Sequence, residues 1–309
     1  MTTPQQSTST PPEGTSTPPN GSATPAKADA TLANRTLLMS GGSRGIGLAI
    51  ALRAAREGAN VVMLAKTSQP HPRLPGTIHT AAREIEQAGG QALAVVGDVR
   101  VDADVQRAVD AAVERFGGID VVVNNASALD LRPARHIEMK SYDLMQDINA
   151  RGAFLLSKLA IPHLERSAAP HILTLSPPLD MRPKWAGQYL AYTMAKYGMS
   201  MVTLGLAEEL REAGVGVNSL WPRTTIATAA VSNLLGGDEA LQGSRSPEIV
   251  ADAAHAILLR DGRECTGNFF IDDEVLAEEG ITDLDRYRIG DGSRPLDPDL
   301  FLDPQADAR

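Results

Sequence analysis

The feature that most constrains this chain is an apolar run that breaks into glycines and resumes as an amphipathic stretch: Thr36-Leu37-Leu38-Met39-Ser40-Gly41-Gly42-Ser43-Arg44-Gly45-Ile46-Gly47. A strand that ends in glycines and leads straight into a helix sets the helix N-terminus above the carboxyl end of the strand. Free backbone N–H groups and the helix dipole there favour an anion such as a pyrophosphate. In this reading Gly41 permits the tight turn, Gly45 permits close backbone approach and Gly47 lets helix pack on strand, with Ser43, Arg44 and Ile46 forming the turn between them. An ordinary tight βα loop uses the same residue types, so the remainder of the chain has to discriminate.

Downstream, short apolar runs alternate with longer amphipathic stretches, the pattern of βα units around a parallel sheet. Strands are predicted over 36–39, 60–65, 92–96, 121–124, 171–175, 215–220 and 268–271, and helices from the glycine turn to 57 and over 78–88, 102–116, 142–164, 189–212 and 247–259. The expected architecture is α/β: a Rossmann-type doubly wound parallel sheet of about seven strands with helices on both faces, in a single domain over 34–275. With 309 residues and 43% hydrophobic content, a second full domain is not expected. Residues 1–33 are rich in Thr, Pro and Ser and poor in large apolar side chains, so they are read as a disordered arm. Residues 276–309 form an acidic, proline-containing extension, with Leu300-Phe301-Leu302 as its candidate anchor.

The net charge of −9 argues against nucleic acid as a partner, because such surfaces carry clustered basic residues. The single cysteine, Cys265, has no partner for an internal disulfide, and no Cys/His spacing matches a zinc site, so no metal is expected. No segment reads as a secretory leader, a mitochondrial presequence or a membrane span, and the expected location is cytoplasmic.

Two further features carry chemistry. Tyr192 and Lys196 stand four apart in a predicted helix, so phenol and ammonium share one face. A nearby ammonium favours the phenolate, making Tyr192 a candidate acid/base that Lys196 tunes. The second strand ends Leu64-Ala65-Lys66-Thr67, without the acidic residue that binds a ribose 2′-hydroxyl. Arg44 and Lys66 instead suit a 2′-phosphate, which points to NADP(H) rather than NAD(H).

Gly41 to Gly47, Asp98-Val99, Asn124-Asn125-Ala126, Asn149 and the Tyr192/Lys196 pair occur in the order and approximate spacing of short-chain dehydrogenase/reductases, and residues 34–275 resemble that family. Within it, Ala65-Lys66-Thr67-Ser68-Gln69-Pro70-His71-Pro72, Ser176-Pro177-Pro178 and the residues around Tyr192 resemble one group whose members commonly carry a C-terminal sterol-carrier domain; the sequence stops without one. The resemblance implies that Asp98 contacts adenine with Val99 packed nearby, that Asn125 and Ala126 approach the adenosine ribose, and that Lys196 also binds the nicotinamide ribose. It further implies that Asn149 holds a water in a proton relay and that Pro222 and Ile226 line the nicotinamide end; Arg223 stands where most relatives have glycine. Helices 142–164 and 189–212 resemble those that form homodimer and homotetramer interfaces in the family, although the same apolar residues also suit an internal core.

The departure from the family lies in Leu175-Ser176-Pro177-Pro178, where Pro177, which cannot donate a hydrogen bond, takes the place aligned with the usual catalytic serine. Ser176 is the candidate replacement, and a strand-terminating role fits it equally well. Loss of such a donor costs about 10²–10³ in rate, which leaves two functional readings. The first is an oxidoreductase interconverting an alcohol and a carbonyl on a small apolar substrate; the second is a dinucleotide-binding protein with weak or lost catalysis. The small and apolar residues Ile226, Ala227, Ala229, Ala230, Val231, Leu234 and Leu235 suit an apolar substrate wall or a short amphipathic helix, and Trp185 and Met181 are candidates for the opposite wall.

Overall fold

The computed structural model describes residues 30–70, 75–235 and 237–303. The expected N-terminal arm falls largely on residues 1–29, outside the described residues, as do His71 and Pro72. The first half of the chain forms β1 (Thr36–Ser40), α1 (Gly45–Ala55), β2 (Asn60–Ala65), α2 (Ile78–Gln87), β3 (Gln91–Val96), α3 (Asp102–Phe116) and β4 (Val121–Asn124). There follow α4 (Met139–Met145), α5 (Gly152–Leu164), β5 (His171–Thr174), α6 (Pro183–Gln188), α7 (Leu190–Glu209) and β6 (Gly216–Trp221). The last elements are α8 (Ala229–Leu235), α9 (Asp238–Leu241), α10 (Glu248–Leu258), β7 (Phe269–Ile271) and α11 (Asp272–Glu278).

All seven strands are parallel, in the order β3-β2-β1-β4-β5-β6-β7. The chain winds outward from β1 to β3, then returns to β1's other side and winds outward again to β7. Between β1 and β4 the winding reverses, and Ser40 pairs in register with Asn124 at their carboxyl ends; a crevice opens above such a switch point. β2 and β4 are buried along their whole length, as strands covered on both faces must be, and their sequences are accordingly continuous apolar runs. One face is covered by α1, α2 and α10 through Ile50, Ile85 and Ile257, the other by α3, α5 and α7 through Val109, Leu156 and Leu206.

The helix expected over 142–164 differs in two ways: it begins at Met139, and a π-helical stretch, Gln146–Arg151, lies between α4 and α5. Asn149 sits inside that wide turn. The short helices α6, α9 and α11 were not expected, since four to seven residues are too few to display a 3.6-residue period, while α8 falls on the residues offered above as a short amphipathic helix. After α11 the chain doubles back over the carboxyl end of β6, where Pro298 bridges Thr224 in antiparallel fashion and Trp221 Nε1 donates to Leu300 O at 2.8 Å. Among the described residues no helix is long and apolar enough to cross a membrane.

Candidate active site

The switch-point crevice holds two adjoining cavities that share Ile46, Asn125 and Ser127. The first, of about 400 Å³, is bounded by the glycine turn, the ends of β2 and β3, and the loop after β4. The glycine turn beside it admits no side chain at two positions. Gly41 has a φ of +74°, and a Cβ there would lie 2.9 Å from Asn125 Nδ2; a Cβ on Gly47 would lie 2.5 Å from the same atom. Asn125 Nδ2 donates to Gly41 O at 2.9 Å, so the asparagine fastens the turn to β4 as well as lining the cavity. The N-terminal turn of α1 has no side-chain cap and no acidic residue, which leaves its N–H groups open to an anion. This cradle fits the pyrophosphate of a dinucleotide.

At the far end of the cavity, Ala65 at the end of β2 and the following Lys66 and Thr67 line it together with Asp98 and Val99. Arg100 forks onto Asp98 at 2.7 and 3.0 Å and holds its carboxyl down at about 2. Lys66 Nζ lies 3.4 Å from Asp98 Oδ2 with 55% of its side chain exposed, so it is shared between that carboxylate and the cavity. Arg44 also lines the cavity; its Nη2 donates to Gly76 O at 3.2 Å, and its buried Nε has no hydrogen-bond partner among the described residues.

The second cavity, of about 720 Å³, is lined by Tyr192 and Lys196 from consecutive turns of α7. Both side chains are buried, with 5% and 4% exposure. Lys196 Nζ donates to Leu175 O at 2.8 Å and sits 5.1 Å from the centroid of the Trp221 ring. Burial pushes the Lys196 ammonium down to about 7, opposed by the carboxylate of Asp299. Burial, and then Asp299, hold the Tyr192 phenol well above its ordinary value. Lys196 is not among the causes that shift the phenol, and its ammonium bonds the Leu175 carbonyl.

Asn149 is fully buried, and its amide closes two hydrogen bonds on one residue, accepting from Ala128 N at 2.7 Å and donating to Ala128 O at 3.0 Å. It braces the loop after β4, and no hydrogen bond joins it to Lys196. Ala126 lines the first cavity, while Pro222 and Ile226 line the second. Arg223 turns away, pairing with Asp273 at 3.1 Å and with Glu274.

Ser176 is not brought to the site. Its hydroxyl lies 2.8 Å from Ser219 Oγ, which in turn donates to Thr203 Oγ1 at 2.8 Å, and the residue is fully buried. Just past the end of β5, this hydroxyl lies between β6 and α7, the placement that the strand-terminating alternative calls for. Met181 is likewise away from the cavity, 81% exposed. Of the small and apolar residues after Pro222, Ile226 and Val231 line the second cavity, Ala229 the first and Ala230 both; the side chains of Leu234 and Leu235 are outside the described ones.

Sequence reading missed the residues that close the cavity. Asp299 and Leu300 line it from the C-terminal strap, with Tyr189, Leu129 and Leu131 opposite. Phe301 is seated among the rings of Tyr192, Tyr197, Trp221 and Trp185, with centroids 5.5 to 6.2 Å away. The one signal for this was the apolar triplet Leu300-Phe301-Leu302 in an otherwise polar tail.

A doubly wound sheet with a glycine cradle at its switch point, opening into a pocket that holds a tyrosine and a lysine, defines the class of dinucleotide-dependent α/β oxidoreductases. The family described as short chain dehydrogenase matches residues 35–236, and the chain belongs to it. Hydroxysteroid dehydrogenase-like protein 2 of Danio rerio is 55% identical over 274 residues, 89% of this chain and 65% of that protein. The Homo sapiens protein of the same name is 50% identical over 277 residues, 90% of this chain and again 65% of the relative, so the chain spans a little under two thirds of their length. A crystal structure of a short chain dehydrogenase from Mycobacterium thermoresistibile superposes with a TM-score of 0.84 at 53% identity, covering 89% of this chain and 99% of that one.

Proposed function

We propose that the protein is an NADP(H)-dependent oxidoreductase that interconverts an alcohol and a carbonyl on an apolar, lipid-like substrate, with Tyr192 as the acid/base. The observation that carries this reading is the joining of the two cavities. The glycine cradle opens at Ile46 and Asn125 into the pocket where the Tyr192 side chain meets Leu129, Leu131, Trp221 and Leu300. The bound dinucleotide supplies or takes the hydride. Tyr192 gives its proton to the substrate oxygen in reduction and takes it back in oxidation. Lys196, fixed by Leu175 O, holds a positive charge one helical turn away, and Asn149 keeps the loop above it in place through Ala128. Arg44 and Lys66 would hold the 2′-phosphate, Asp98 and Val99 the adenine, Asn125 and Ala126 its ribose, and Pro222 and Ile226 the nicotinamide end.

The test is a screen of short- to long-chain aldehydes, ketones and alcohols for consumption or formation of NADPH. Turnover on apolar members that vanishes in Tyr192→Phe supports the proposal. The second reading, a dinucleotide-binding protein with weak or lost catalysis, is favoured by the engagement of Ser176 with Ser219. Cofactor binding without Tyr192-dependent turnover on any compound selects it. Assembly into a homodimer or homotetramer belongs to the same proposal, supported by exposed Phe154 on α5 and Met201 and Leu204 on α7.

A further inference from the structure

The C-terminal strap does more than close the pocket. Pro295 and Pro298 favour extended backbone, and hydrogen bonds hold the strap on both sides of the site: Thr225 N to Asp297 O at 2.9 Å, Asp299 N to Arg223 O at 3.0 Å and Trp221 Nε1 to Leu300 O at 2.8 Å. Phe301, at a φ of +70° that a bulky side chain rarely adopts, is held there by burial in its ring cluster. Between these attachments stands the carboxyl of Asp299. Oδ1 accepts from Leu300 N at 2.6 Å, and the group lines the cavity that Tyr192 and Lys196 line.

The other charged groups around it have partners of their own. Arg223 is paired with Asp273 and Glu274, and Arg294 with Asp297 at 2.9 Å, while Asp272, at the start of α11, faces Asp299 as a like charge. Glu239 also lines the cavity. Lys196, for its part, has the carbonyl of Leu175, the sulfur of Met199 at 3.6 Å and the face of Trp221, and no ion pair among the described residues. Asp299 and Lys196 thus line one cavity without a direct ion pair among the described residues, and the charge of each favours the charge of the other.

We infer that Asp299 is a third ionisable member of the acid/base centre, a positioning residue whose carboxylate keeps Lys196 an ammonium ion across the pocket. The inference rests on the reading of Tyr192 and Lys196 given above. Its chemical sense is that a buried ammonium sheds its proton when a ligand drives out the last water, unless a fixed opposite charge opposes this. Burial pushes the Asp299 carboxyl up to about 7, while the Leu300 N–H and the charge of Lys196 oppose that shift and favour its carboxylate.

The experiment is an NMR titration of the full chain carrying lysine labelled with carbon-13 at Cε, with no dinucleotide or substrate added, the Lys196 signal being assigned by its loss in Lys196→Arg. In Asp299→Asn, and in Asp299→Ser should the first variant fold poorly, the Lys196 midpoint is expected to fall by about one pH unit or more. Asp297→Asn, on the same strap but paired with Arg294, is expected to leave it within about 0.3. In the unaltered protein, the Asp299 carboxyl carbon is expected to titrate in two steps, one of them shared with Lys196. A midpoint unchanged in the Asp299 variants, or a single uncoupled step for Asp299 in the unaltered protein, overturns the inference. A shifted midpoint in a protein with no Tyr192-dependent turnover would instead sink the proposed function and leave the pairing of Asp299 with Lys196 standing.

Discussion

Phe301 stacks on Tyr192, the ring centroids 6.0 Å apart and the planes inclined by 29°. A residue from the end of the chain therefore forms one wall against the phenol, and substrate entering this pocket meets the strap as well as the sheet. Phe→Ala in a packed cluster costs about 3–5 kcal/mol, and because the strap lies at the edge of the fold, the loss is expected to appear as local opening. Phe301→Ala should quench Trp221 and Trp185 more readily with acrylamide and raise KM for apolar substrates, with the thermal midpoint of the core little changed. Unchanged quenching would place the strap's attachment elsewhere.

Ser176 is expected to matter for stability rather than for turnover. Its hydroxyl is engaged with Ser219 in a fully buried chain, and removing one partner of a buried hydrogen bond costs roughly 1–3 kcal/mol. Ser176→Ala should destabilise the fold by about that amount in denaturant titration and leave kcat within about threefold. A kcat loss of about 100-fold at unchanged stability would return the serine to the chemistry.

Lys66 bears on cofactor choice. A charge-assisted bond to a phosphate is worth about 1.5–3 kcal/mol, so Lys66→Ala is expected to weaken NADPH binding at least tenfold, about 1.4 kcal/mol or more, with NADH binding little changed. Calorimetric titration of both cofactors checks this; equal losses would mean that Lys66 serves only its 3.4 Å pairing with Asp98.

His171, buried in β5 with Nε2 donating to Arg260 O at 3.1 Å, is held neutral, its folded pKa pushed down to about 4 by burial. The unfolded chain protonates it at its ordinary value near 6.5. Between these values the unfolded state binds the extra proton, so this residue lowers stability as pH falls from about 6.5 to about 4 and does nothing above that window. Asp272 and Asp299, pushed up to about 7, act in the opposite sense over much of the same range. The clean observable is therefore a difference: from pH 7 to pH 4, His171→Asn should gain about 3 kcal/mol relative to the unaltered protein. A pH-independent difference would contradict the assignment.

Much of this site is legible in the sequence because its parts are local. The glycine turn needs only a strand, three glycines and a helix start; Tyr192 and Lys196 need only helical spacing; β2 and β4 are continuous apolar runs. What escapes is set by packing between distant segments. Nothing near Ser176 announces that its hydroxyl meets Ser219, 43 positions on. Nor does the acidic tail reveal that Asp299 returns to a lysine on α7, since such closure depends on Trp221 and Arg223 offering a donor and a carbonyl at the right place. The π-helical turn at Asn149 is hidden for a similar reason: its amide is matched to the backbone of Ala128, 21 residues earlier.

The most direct test removes the phenol oxygen and nothing else. Tyr192→Phe keeps the ring against Phe301, so the protein should fold and bind NADPH within about twofold of the unaltered affinity, while kcat on any substrate found falls by about 10²–10⁴. Turnover retained within about threefold would show that the proton comes from another group, and the account of this pocket as a tyrosine-centred acid/base site would be wrong.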